Sequence, residues 1–183
     1  MTIFIDIAGS WIVRASMITM MLGISVTMND ALYKTTQKAN TDKTLAKVAN
    51  TILTDLNMAG NNVTSPTNVF QPGYVSPTDM KFYGDLDNSG LYETIRYQAT
   101  YNSTTKLYSL YRSVNRENSG IPLLLGKNFT SVKFTYFNYL GVPTTNYLEV
   151  MSVRVTLVTT IPGATAGGFT TAMNDFLVYP ANL

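Results

Sequence analysis

The first 28 residues constrain this chain more than any other segment. Between Met1 and Met28 only Asp6 and Arg14 carry charge, and Ala15 to Met28 is uncharged and mostly apolar. Trp11, Ile12, Val13, Met17, Ile18, Met20, Met21, Leu22, Ile24 and Val26 make a helix that is apolar nearly all round rather than along one stripe. A 26-residue helix reaches about 39 Å, enough to cross a bilayer. Four environments compete for it. A cleaved signal peptide carries its base first and ends in small residues; here the acid precedes the base and no A-x-A-like site closes the run. A plain membrane anchor must tolerate Arg14 near its middle. A core helix needs more chain around it than follows. A helix buried among copies of itself meets none of these objections.

Ile3, Phe4, Trp11, Met17, Met21 and Ile24, with Asp6, Arg14 and Gly23, are therefore the candidate assembly residues. Asp6 and Arg14 are eight residues apart, about 12 Å along a helix, too far to bond within it. Two parallel helices offset by that distance bring the Asp6 of one level with the Arg14 of the other. The alternative is a local role, Asp6 at the helix start and Arg14 extending its head to water. Gly23, followed by Ile24, Ser25, Val26 and Thr27, is weak helix; it marks either a stretch that unwinds on assembly or a point of close helix packing.

Beyond Asn29 the chain turns polar, and an apolar stripe then appears at Leu45, Val48, Ala49, Ile52, Leu53 and Leu56. That spacing predicts one helix face, with Gly60 as its stop and Asn61, Asn62, Pro66 and Pro72 in the loop behind it. The expectation is one long helix, continuous or interrupted, from about Ile3 to Ala59. From about Tyr74 the period becomes two. Leu91, Ile95, Tyr97, Ala99 and Tyr101 share one strand face; Leu107 to Val114 is the next strand, after a turn at Asn102 to Thr105. Val132, Phe134 and Tyr136 alternate with polar residues, as do Met151, Val153, Val155 and Leu157, and a last strand runs from Phe169 to Tyr179. The predicted class is α+β, a long N-terminal helix on a C-terminal antiparallel sheet. The divisions are residues 1–28 as an assembly or membrane helix and 29–183 as a globular domain, itself helix 29–59, loop 60–79 and sheet 80–183.

Several chemistries fall away on residue types alone. The 183 residues include no cysteine and no histidine, which removes disulfides, thiolate metal sites, Cys nucleophiles and any His general base. Thirteen basic against 11 acidic residues give a net charge of +2, too balanced for a nucleic-acid partner. No pattern demands acid–base catalysis, so no enzyme activity and no cofactor are expected. One candidate metal site remains. Asp85-Leu-Asp-Asn-Ser-Gly90 resembles the start of a Ca²⁺ loop, with Asp85, Asp87, Ser89 and Glu93 as oxygen donors, although Arg96 stands where an EF-hand needs its Glu. A tight polar hairpin turn uses the same residues. Asn62-Val-Thr64, Asn102-Ser-Thr104 and Asn128-Phe-Thr130 match the N-glycosylation pattern, as chance allows in a Thr- and Asn-rich chain.

The apolar first half of the helix followed by an antiparallel sheet resembles type IV pilins and pseudopilins, most closely the minor J-type or W-type members. The resemblance is carried by Thr51 to Gly60, by Lys81-Phe-Tyr-Gly-Asp-Leu-Asp-Asn-Ser-Gly-Leu-Tyr-Glu-Thr-Ile-Arg-Tyr97, by Leu107-Tyr-Ser-Leu-Tyr-Arg112 and by Val132-Lys-Phe-Thr-Tyr-Phe137. It implies a subunit held in the inner membrane by its helix, then assembled with copies of itself into an extracellular helical homopolymer with the helices at its centre. The chain departs from the family at two points: the processing site, a basic leader ending in Gly before Phe or Met, is not among these residues, which leaves a mature chain starting at Met1 or one that is never processed, and Ile5 stands where the family's acid is expected, with Asp6 beside it. Two further readings are a priming or tip subunit of a secretion system and a membrane-anchored module whose sheet domain binds a ligand.

Overall fold

The structure, a computed structural model, describes residues 2–63, 69–115, 120–162 and 169–182; the side chains of 2–8, 161–162 and 169–170 lie outside that description. Pro66 and Thr64 also fall outside it. Among the described residues one helix, α1 (Thr2–Asn57), precedes six strands: β1 (Asp79–Gly84), β2 (Glu93–Asn102), β3 (Leu107–Asn115), β4 (Leu123–Phe137), β5 (Ser152–Pro162) and β6 (Phe169–Val178). The strands form one sheet in sequence order, every neighbour antiparallel. The class is α+β, with the long apolar helix packed on the sheet.

The stripe on the second half of α1 is the centre of the core. Leu45, Val48, Ala49, Ile52 and Leu56 are buried, and Ile52 and Leu56 are 0% exposed. Leu53 departs from the expectation at 37% exposed, because it lies at the margin of the buried arc. From the sheet come Met80 and Phe82 of β1, Ile95 and Tyr97 of β2, Leu110 of β3, Val132, Phe134 and Tyr136 of β4, and Val153, Val155 and Leu157 of β5. The strands alternate as a one-sided sheet must: Lys133, Arg154 and Thr156 point away from the face that carries Phe134, Val155 and Leu157.

The sheet curls about the helix. Helix residues pack on β4, β5 and β6, while Asp55 reaches Tyr97 of β2 and Arg112 of β3. Both edges of the sheet meet the helix end. Ala59 forms a bridge with Gly84, the last residue of β1. After β6 the chain returns so that a Cβ on Gly60 would fall 2.0 Å from the Asn182 carbonyl oxygen. Gly60 also has φ +81°, so this position needs glycine both for its backbone and for the close approach.

Some strand limits differ from the sequence reading. Leu91 is outside β2 and 65% exposed, because the acidic turn occupies residues 85–92 and β2 starts at Glu93. Met151 lies before β5 and Tyr101 is near the end of β2, beyond its pairing with β1, and both are exposed. β4 begins at Leu123, earlier than the alternation at Val132 suggests, and its pairing with β3 is broken by register shifts between Tyr108 and Tyr111.

Candidate functional site: the uncovered helix and the acidic turn

The helix is continuous through Gly23 and on into the core. Every residue from Gly9 to Asn29 is exposed, and among the described side chains the first buried one is Leu45. The segment is long and apolar enough to cross a membrane: an 18-residue window has mean hydropathy 1.5 and none of it is buried. Trp11, Met17, Met21 and Ile24 are 59–70% exposed, and Arg14 is exposed among them. Ile3, Phe4 and Asp6 are helical by backbone, but their side chains lie outside the described residues.

The polar side chains of this segment are largely turned inward on the helix itself. Ser16 Oγ donates to the Ile12 carbonyl at 2.9 Å, Thr19 Oγ1 to Ala15 at 2.9 Å and Thr27 Oγ1 to Gly23 at 2.8 Å. Each hydroxyl proton is thus satisfied without water. Apart from Ser10, Arg14, Ser25 and Asn29, the surface left over is methyl, thioether and aromatic, suited to a medium of low dielectric. At Gly23 no atom lies within 4 Å of where a Cβ would sit. Met20, Ile24, Thr27, Met28 and Ala31 border a shallow apolar notch there, into which a neighbouring backbone can settle.

Eleven large apolar side chains from Trp11 to Met28 are more than half exposed. Covering them is worth roughly 10–20 kcal/mol at about 1.5–3 kcal/mol for each full burial. That is comparable to the whole stability of an ordinary domain, roughly 5–15 kcal/mol. That much exposed apolar surface is compatible with a membrane helix.

The acidic turn between β1 and β2 brings three carboxylates together: ligand oxygens of Asp85, Asp87 and Glu93 lie within 4.8 Å of one another. Asp85 is buried, and its carboxylate accepts from Gly90 N at 2.8 Å, Ser89 N at 3.1 Å and Asn62 Nδ2 at 2.5 Å. Asp87 Oδ1 also accepts from Ser89 N at 3.1 Å, and Glu93 Oε2 from Leu86 N at 2.9 Å. Asn88 and Gly90 take positive φ, 53° and 84°, as a tight polar turn requires. These bonds close the turn and tie it to the loop after α1. Asn62, the first residue of one glycosylation pattern, is engaged here through its amide nitrogen.

Sequence reasoning gave no role to the strongest polar contact in the core. Asp55, buried on α1, accepts from Arg112 Nε at 2.6 Å and Arg112 Nη2 at 3.0 Å, a two-pronged pair, and also from the Tyr97 hydroxyl. Burial pushes the Tyr97 phenol well above its usual range, and the neighbouring Asp55 charge adds to this. For Arg112, burial pulls the guanidinium down, but the hydrogen bond and charge of Asp55 outweigh it. The group locks the helix to β2 and β3. The signal was an acid inside an apolar stripe, and its partners lie 42 and 57 residues away. No protein-family model matches this chain, and no curated protein matches it.

Proposed function

We propose that this chain is a structural subunit of an extracellular pilin-like filament. Its apolar half-helix sits in a membrane before assembly and is transferred to a bundle of identical helices in the polymer. The observation that supports this most is the division of one unbroken helix. From Leu45 onward the apolar arc of the helix is covered by the chain's own sheet, while Gly9 to Asn29 have no cover from it. A simple anchor leaves Arg14 without a counter-charge in lipid; a bundle of parallel copies supplies Asp6. The short motifs shared with minor pilins point the same way, and the sheet domain becomes the outer surface of the fibre.

The test is detergent removal from the purified full chain, followed by electron microscopy. Fibres with the helices at their centre are expected. Removing residues 1–28 should leave a soluble, folded monomer that forms none. A full-length chain that stays monomeric, or only enters vesicles, counts against the filament reading and favours a membrane-anchored module.

A further inference from the structure

We infer that α1 of one copy lies parallel to α1 of a second copy, displaced by eight residues, and that the charges of the helix set this displacement. The inference rests on the filament reading and specifies its geometry. Eight residues correspond to about 12 Å. The charged residues of α1 are Asp6, Arg14, Asp30, Lys34, Lys38, Asp42, Lys43, Lys47 and Asp55. Sliding the helix past its copy by eight residues brings Asp6 level with Arg14, Asp30 with Lys38, Lys34 with Asp42 and Lys47 with Asp55. All four encounters are between opposite charges. The last is discounted, since Asp55 is buried and held by Arg112.

No other displacement brings more than two pairs of opposite charges level, and several set like against like. A shift of four sets Lys34 against Lys38 and Lys43 against Lys47; a shift of nine sets Lys34 against Lys43 and Lys38 against Lys47; a shift of 12 sets Asp30 against Asp42. Like charges held level on neighbouring helices repel, so the pattern selects a register more than it adds affinity.

The groups needed are available. Arg14, Lys38 and Asp42 are exposed, and Lys38 and Asp42 form no ion pair among the described residues. Asp30 holds Lys34 Nζ at 2.7 Å through Oδ2. Its Oδ1 has no hydrogen-bond partner among the described residues and is shielded from solvent, so a turn of the carboxylate is needed to present it to a neighbour's ammonium. All these residues precede Leu45, where the sheet domain begins to enclose the helix, so a neighbouring helix can approach them. From Asp6 to Asp30 is 24 residues. In straight helices the lower and upper contacts are then about 120° apart around the axis, whereas left-handed winding at about 3.5 residues per turn reduces this to about 50°. The register therefore entails a left-handed wrap of the helices.

Complementary mixing of full-length variants tests this. Asp30→Lys alone sets Lys against Lys38 of the neighbour, and Lys38→Asp alone sets Asp30 against Asp. Each should lower fibre mass at least tenfold. An equimolar mixture should restore fibres, because alternating copies pair Lys with Asp at every contact. Changes confined to one chain cannot be repaired by mixing. A mixture no better than its components, while the unaltered chain makes fibres, overturns the register and leaves the filament reading standing; an unaltered chain that makes no fibres overturns both. Cross-linking gives a readout that does not depend on charge. The chain has no cysteine, so Thr27→Cys with Thr35→Cys, eight apart on the same side as Lys34 and Asp42, should give an oxidised ladder of linked copies. Thr27→Cys with Ala31→Cys should not, and equal ladders from the two pairs would also refute the offset.

Discussion

The two halves of α1 share one backbone and one rise, yet they are solvated in opposite ways. From Leu45 to Leu56 the apolar residues keep to one arc and the sheet covers that arc. From Gly9 to Asn29 apolar residues surround the axis and the chain covers none of them. Hydrophobicity alone does not separate the halves, since Ile52 and Ile24 are the same residue on the same helix, 0% and 67% exposed. What separates them is whether an arc or a full circle needs cover. One curled sheet satisfies an arc; a full circle needs several neighbours, which a single small domain cannot provide.

The comparison is broken most severely by attacking the polar lock of the covered half. Asp55→Ala leaves the Arg112 guanidinium and the Tyr97 hydroxyl without their acceptor in a poorly solvated place. The expected cost is about 3–5 kcal/mol, read as a fall in Tm of roughly 6–20 °C for a domain of this size. Retention of the parent Tm would mean that the helix is not held to β2 and β3 through this group. Ile52→Ala comes next, removing buried atoms and leaving a cavity beneath the sheet; about 2–5 kcal/mol is expected in denaturant unfolding of the sheet domain.

Alkaline pH acts on the same half by a gentler route. Burial raises the phenols of Tyr97 and Tyr136, and Asp55 and Asp79 respectively add to the effect. A raised folded-state pKa means the folded chain holds the phenolic proton more tightly than the unfolded one. That contribution is complete below the unfolded pKa of about 10 and shrinks as pH rises beyond it. Tm should be insensitive to these groups near neutrality and fall progressively above about pH 10. Tyr97→Phe together with Tyr136→Phe should flatten that fall, and an unchanged alkaline profile in this variant would assign the loss elsewhere.

Much of this division was legible in the sequence because it is written in local periodicity. The stripe at Leu45, Val48, Ala49, Ile52 and Leu56 announces an arc, and the strands at Val132–Tyr136 and Val153–Leu157 announce one covered face. Periodicity misleads at margins. Leu53 sits at the edge of the arc, and Leu91 keeps the strand's parity although the chain has turned away. Early β4 reads Leu-Leu-Leu-Gly-Lys-Asn, without alternation, so its pairing with β3 could not be foreseen. Non-local chemistry was the least legible: nothing near Asp55 announces Arg112. At the uncovered half the situation reverses, since apolar positions and lone charges are local facts, and their spread all round the axis already implies a first half that projects without a partner in the chain.

The smallest effect on folding is also the sharpest test of the contrast. Ile24→Ala trims an exposed side chain beside the Gly23 notch, and alanine is the better helix former. Unfolding of the sheet domain should therefore change by no more than about 0.5 kcal/mol. In assembly the same change removes atoms that a neighbouring helix would press against. The concentration needed to form fibres should then rise about tenfold, equivalent to about 1.4 kcal/mol per subunit. Ile24→Ala and Ile52→Ala thus make opposite predictions in two assays on one pair of proteins. If Ile24→Ala destabilises the domain as Ile52→Ala does, the first half of α1 is packed within its own chain and the contrast fails. If it alters neither folding nor fibre formation, the helix surface at the Gly23 notch lies outside the contact between copies.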